Sequence, residues 1–199
     1  MTALRPMLAV GALVILASPL RAQGDRYATV DVRAGYTLPL STAKDEFKGQ
    51  SSFGAGFAIA LSNRLHLGPT FDFAHHSVKQ ADGTVIGGPD DQQYNVFHLF
   101  LKASFDALTQ NHFTIAVNAG PGLLFFQPND ALKNLGAESD RHFAINGGLT
   151  ITWWFSDRIG LVASPQADIA LSRSSGHIDA FKDKSAMMFP LTGGFRFKI

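Results

Sequence analysis

Met187-Met188-Phe189-Pro190-Leu191-Thr192-Gly193-Gly194-Phe195-Arg196-Phe197-Lys198-Ile199 is the stretch whose reading decides the fold. Odd positions carry Met, Phe, Leu, Gly, Phe, Phe and Ile, and even positions carry Met, Pro, Thr, Gly, Arg and Lys. Successive side chains of a strand point to opposite faces, so the stretch is a strand with one greasy and one polar face. A long apolar strand left unpaired in water templates aggregation. The spacing therefore predicts that this strand closes a barrel against the first strand, with its greasy face in lipid.

Working outward from that end, seven more runs alternate in the same way. They are Tyr27 to Leu38, Phe53 to Ser62, Leu65 to His76, Phe97 to Phe105, Phe113 to Phe126, Phe143 to Phe155 and Ile159 to Ser172. The connectors alternate in length. Ser62-Asn63-Arg64, Asp106 to His112 and Ser156-Asp157-Arg158 are short, whereas Pro39 to Ser52, Ser77 to Gln93, Gln127 to Arg141 and Arg173 to Ala186 are long and polar. Short turns at one rim and long loops at the other are the outer-membrane pattern, the short turns being periplasmic. The fold class expected is all-β, an eight-stranded antiparallel up-and-down transmembrane β-barrel. It forms one domain over residues 23–199.

Composition narrows the function classes. Charged residues make up 17% of the chain, against roughly 25% in an average soluble protein. Cysteine is absent, which excludes disulfides, thiolate metal sites and a cysteine nucleophile. Residues 1–22 have the form of a secretory signal peptide: Arg5, an apolar core from Met7 to Ala17, and Ala22 before the cut. Its removal takes two of the 17 basic residues, Arg5 and Arg21, and leaves the chain slightly acidic. No basic patch suggests a nucleic-acid partner.

The choice of lipid-facing side rests on what each face carries. One face holds bulky Phe, Leu, Ile and Trp. The other is rich in Gly, Ala, Ser and Thr, with Asp31, Asp72 and Asp168 opposed to Arg33, Lys102, Arg196 and Lys198, and with His66 and His98 among them. That near balance predicts an enclosed ion network of Asp31, Arg33, His66, Asp72, His98, Lys102, Asp168 and Arg196. Phe100, Leu124, Phe126 and Trp154 share the inner face and predict a plugged lumen, since eight strands enclose only enough room for side chains. Aromatics gather at both ends of the outer face, Tyr27, Phe105, Phe113, Trp153, Phe155 and Phe197 at the short-turn rim and Tyr36, Phe53, Phe73, Phe97, Phe125, Phe143 and Phe189 at the loop rim, as girdles would. Pro69, Pro121, Pro165 and Pro190 fall inside strands, where bulges or a strand end are expected because proline lacks the ladder donor. Strand closure also predicts that Asp31 lies near Arg196.

These features resemble the small outer-membrane β-barrel family, the OmpA-like and OmpX-like eight-stranded barrels, over residues 24–199. The resemblance implies bacterial outer-membrane residence after export through the periplasm, contact with outer-membrane lipid and lipopolysaccharide, and a monomer. It also implies recognition of the terminal strand by the outer-membrane assembly machinery. Ile199 stands where that family usually ends in an aromatic residue. The function expected is that of a porin-like cell-envelope barrel whose four loops serve surface binding, adhesion or envelope integrity. Two alternatives stay open. A narrow small-solute pore is one. The other is lipid hydrolysis: His75-His76-Ser77 resembles the His-x-Ser of outer-membrane lipid A deacylases, with His75 and Ser77 facing lipid by parity and Asp91 as the acid. Val78 stands where that family has Asn. No catalytic residue is assigned otherwise, and no cofactor or metal is expected, since His75 and His76 point to opposite faces.

Overall fold

In the computed structural model the last strand pairs with the first, from Thr29 opposite Lys198 to Ser41 opposite Ala186. The structure describes residues 27–79, 93–171 and 185–199. Its strands are β1 (Ala28–Ser41), β2 (Gln50–Ala60), β3 (Leu65–Ser77), β4 (Gln93–Gln110), β5 (Phe113–Pro128), β6 (Asp140–Trp154), β7 (Ile159–Ala170) and β8 (Ala186–Lys198). They form a closed antiparallel barrel in chain order. The predicted leader and Asp91 lie outside the described residues.

Side-chain direction follows the alternation. Leu101 is 51% exposed on the outer wall while its neighbour Lys102 is 6% exposed inside. Val32, Leu99, Ile145 and Phe195 likewise face out, and Asp31, Asp72, Asn146 and Asp168 are enclosed. The oily face is the outer one.

Two of the short turns use one device. Ser62 Oγ accepts from the backbone N–H of Arg64 (3.3 Å) and Leu65 (3.0 Å), and Ser156 Oγ accepts from Arg158 (3.3 Å) and Ile159 (3.0 Å). A serine at the first turn position thus satisfies donors that the reversing chain leaves free. The third turn is shorter than the sequence indicates. β4 runs on to Gln110, and only Asn111-His112 remains, with Asn111 at φ 49° as a two-residue hairpin favours. An irregularity between Asp106 and Leu108 shifts the register, so that Asp106 opposes Ala116 and Leu108 opposes Ile115. That extra residue breaks the alternation and hides the end of the strand from a parity count.

The in-strand prolines produce no such shift, contrary to expectation. Each interrupts one ladder and leaves the register intact. Pro69 leaves Phe57 and Ala58 of β2 unpaired, Pro121 leaves Leu101 and Lys102 of β4 unpaired on the β5 side, and Pro165 does the same to Leu149 and Thr150 on β6. Pro190 interrupts the β7 ladder while still opposing Thr37 on β1. The carbonyl that loses its donor is handled locally. Leu149 O instead accepts from Gln166 Nε2 at 2.7 Å. The Phe57 and Leu101 carbonyls crowd against Gly68 and Gly120, where any side chain would collide with them. The glycines before Pro69 and Pro121 are therefore a packing requirement.

At the loop rim, two short helical segments fold back. α1 (Ala43–Glu46) leads into Phe47, which bridges to Val78. α2 (Asp130–Asn134) is capped by Asn129, whose side chain accepts from Leu132 N–H at 3.0 Å. We expect Gly120→Val to lower unfolding free energy by at least about 1–3 kcal/mol, the usual range for overpacking. Urea titration of the folded band on a heat-modifiability gel measures this, with Gly147→Val, whose added side chain would meet only Asn118 O at 4.0 Å, as the comparison for a crowding effect.

Candidate functional site

The lumen is the place where the sequence concentrates polar chemistry, and it is layered. At the short-turn end, Lys198 Nζ lies 4.1 Å from the centroid of the Trp154 ring and 5.2 Å from that of Tyr27. Tyr27 also packs on His66, ring centroids 5.6 Å apart, so it belongs to this inner floor and not to the outer girdle expected of it. His66 Nε2 is 3.1 Å from Asp106 Oδ2.

Above the floor lies the charge layer. Arg33 Nε is 2.8 Å from Asp31 Oδ1, and an Arg33 terminal nitrogen (Nη2) is 3.1 Å from Asp72 Oδ1. Arg196 reaches Asp31 Oδ2 at 3.1 Å, as strand closure predicts, because the two residues are directly opposed in the ladder. His98 Nδ1 is 2.6 Å from Asp168 Oδ2, and Asn146 Nδ2 donates to Asp168 Oδ1 at 2.5 Å. Lys102 donates to Gln166 Oε1 at 3.4 Å. All eight residues of the predicted network thus face inward. The structure adds partners that a charge count omits: Asp106 for His66, Asn146 for Asp168, and a hydroxyl-amide chain in which Ser104 donates to Asn118 and Asn118 donates to Thr150 at 2.8 Å. The inward parity of Asn118, Asn146 and Thr150 was visible in the sequence, but neutral side chains give no charge signal, and Asp106 fell in the stretch read as a connector.

The loop end of the lumen carries an apolar cluster, with the buried His76 and the His142–Asp140 pair against it. Val96, Phe100, Leu124, Phe126 and Met188 are fully buried there. Phe47 descends from the β1–β2 connection into this layer, 1% exposed, stacked on Phe126 at 6.0 Å and edge-on to Tyr94 at 5.9 Å. Leu132 of α2 joins the same cluster. Neither residue belongs to an alternating run, so only the folded loops reveal them as core.

The structure corrects one placement at the rim. His75 faces outward beside Phe73, ring centroids 4.7 Å apart. Ser77, expected to face lipid, is 3% exposed, and its hydroxyl accepts from Gln50 Nε2 at 2.6 Å. The chain bends inward there because β3 and the β1–β2 connection zip together beyond the wall, with Lys48 N–H donating to Ser77 O (3.0 Å) and Lys79 N–H to Glu46 O (2.7 Å). His76 Nδ1 lies 2.9 Å from Lys48 O and so is engaged in the same zipper.

No protein-family model and no curated protein matches the chain. Solved structures share its architecture. A major outer membrane protein from Thermus thermophilus superposes with a TM-score of 0.58 at 14% identity, over 88% of this chain and 100% of that one. Neisserial surface protein A gives 0.53 at 14% identity, over 87% and 97%. The outer membrane protein OprG from Pseudomonas aeruginosa gives 0.53 at 12%, over 88% and 98%. The chain has the fold of the eight-stranded outer-membrane barrels, and at these identities the likeness is one of fold.

Arg33 holds two carboxylates inside the wall, so Arg33→Met should cost about 3–5 kcal/mol of folding free energy by leaving buried charge uncompensated. Urea unfolding in vesicles measures this. The double variant Arg33→Met/Asp72→Asn should recover part of the loss, and an equal or larger loss would contradict the pairing.

Proposed function

We propose that the protein is an integral outer-membrane barrel with a closed lumen, exported through the periplasm after its leader is cut. Its loops serve surface contact or envelope integrity. The observation that carries this reading is the Phe47-centred apolar cluster, which fills the loop end of the lumen above a layer of paired charges. Water and ions crossing the barrel would have to displace both layers. The exposed apolar wall supports a lipid setting, because an outer face of Val32, Leu101, Ile145, Leu149 and Phe195 would be a continuous aggregation surface in water. The structural neighbours are by name bacterial outer-membrane or surface proteins, which favours the same setting. With β1 beginning and β8 ending on the short-turn side, the long connections reach the cell exterior and β8 is available to the assembly machinery during insertion. The loops are then the part free to vary and bind, held on a rigid frame.

Planar-bilayer recording tests the closed lumen: the wild-type protein should give no steady single-channel currents, and reproducible conductance steps would favour the pore. Topology is tested with tags on intact cells. A tag between Leu135 and Gly136, where Leu135 is 69% exposed, should be labelled from outside, and one between Asn63 and Arg64 only after permeabilisation. Leu149→Arg on the outer wall should reduce stability in bilayers by about 2–4 kcal/mol, as for a cation near the midplane of a membrane barrel.

A further inference from the structure

Two adjoining rows cross the outer wall at the loop rim. Phe73 opposes Phe97, Phe97 opposes Phe125, and Phe125 opposes Arg141, so phenylalanines on β3, β4 and β5 run into a cation on β6. Two residues nearer the loops, on the same face, His75 opposes Asn95 and Asn95 opposes Gln127. Directly opposed side chains stand about 5 Å apart and diagonal ones about 7–8 Å, which puts Gln127 and Arg141 within reach of one group. An aromatic shelf thus carries a polar row along its loop-side edge, with Arg141 at the end.

That edge differs from the wall around it. Arg141 is the only Lys, Arg, Asp or Glu at an outward position of the described strands. Gln127 and Arg141 are exposed, and His75 and Asn95 are half-buried. Among the described residues Asn95 and Gln127 make no side-chain hydrogen bond, and His75 Nδ1 has no partner. Polar groups turned to hydrocarbon are costly when left open, and the cost falls towards the interface, where lipid headgroups meet the wall. A guanidinium pairs with phosphate through two parallel N–H donors, and amide N–H groups supply more. A headgroup carrying only an amine would meet Arg141 with like charge.

We propose that this ledge is a binding site for a phosphorylated lipid of the outer leaflet, its phosphate held by Arg141, Gln127 and Asn95 and an acyl chain lying along Phe97 and Phe125. The shelf directly below the donors is what selects a lipid over free phosphate. The site rests on the membrane setting and outward loops proposed above, and adds to them a particular class of lipid and a particular place on the wall.

Phosphorylated lipid A, the same lipid stripped of its phosphates, and inorganic phosphate are the probes. Full-length protein refolded in detergent and read by native mass spectrometry should retain the phosphorylated lipid severalfold more than the stripped one. Arg141→Gln should remove that preference and Arg141→Lys should restore part of it. Lys133→Gln, an exposed cation on α2, should leave it unchanged. If Arg141→Gln does not fold, Gln127→Leu should lower the preference severalfold, with folding verified by heat-modified migration. Equal retention of the two lipids, a preference undiminished in Arg141→Gln or in Gln127→Leu, or an equal loss in Lys133→Gln overturns the proposal. Displacement of the lipid by inorganic phosphate at equal concentration overturns it as well. Wild-type protein that inserts into vesicles and shows no preference sinks the ledge alone, whereas failure to insert sinks the membrane setting with it.

Discussion

The constraint on which the structure depends is that an apolar outer wall leaves no solvent to satisfy backbone N–H and C=O groups, so the sheet must have no edge. The β1–β8 ladder meets that requirement along the length of β1, down to the reciprocal bonds of 3.1 and 2.9 Å between Ala28 and Ile199. Once the sheet closes, the alternating pattern has a single meaning: even positions of β8 enter a cylinder and odd positions leave it. The enclosed charges follow from this. Arg196 and Asp31 meet because their strands meet, and the rest of the ion layer builds on that pair.

Closure also explains how the wall tolerates proline. A sheet edge would allow Pro69, Pro121 or Pro165 to turn its missing donor to solvent. Here each leaves one carbonyl short: Gln166 supplies a donor to Leu149, while the bare Gly68 and Gly120 leave the room that the Phe57 and Leu101 carbonyls occupy. The inner face is thus shaped by the wall's backbone as much as by its charges. Its layers are a cation–π floor, an ion belt and a largely apolar roof in which the buried His142–Asp140 pair, 3.1 Å apart, and His76 pack against Phe126 and Phe47.

Much of this was legible in the sequence. Side-chain parity gave each strand and its outward face, and the connector lengths gave the rim at which each loop lies. What escaped has identifiable causes. The end of β4 was lost because the extra residue between Asp106 and Leu108 reverses parity. Ser77 sits at a strand end where loop contacts override alternation, so it turns to Gln50, whereas Tyr27 shares the odd parity of the enclosed Asp31 and Arg33 and its turn to His66 follows the alternation against its grouping with the rim aromatics. Phe47 and Leu132 lie outside any periodic run, and their burial depends on loops meeting across the mouth. Neutral members of the lumen, Asn118, Asn146 and Gln166, carry no signal until their partners are in place.

The central claim, that oily side chains face hydrocarbon while charged ones are enclosed, is tested most directly along β4. The chain has no native cysteine, so single cysteines at Leu99, Phe100, Leu101 and Lys102 can each carry a spin label in protein reconstituted into lipid vesicles. Collision with oxygen should be high at 99 and 101 and low at 100 and 102. The inverse alternation, or equal accessibility at all four positions, would contradict the account.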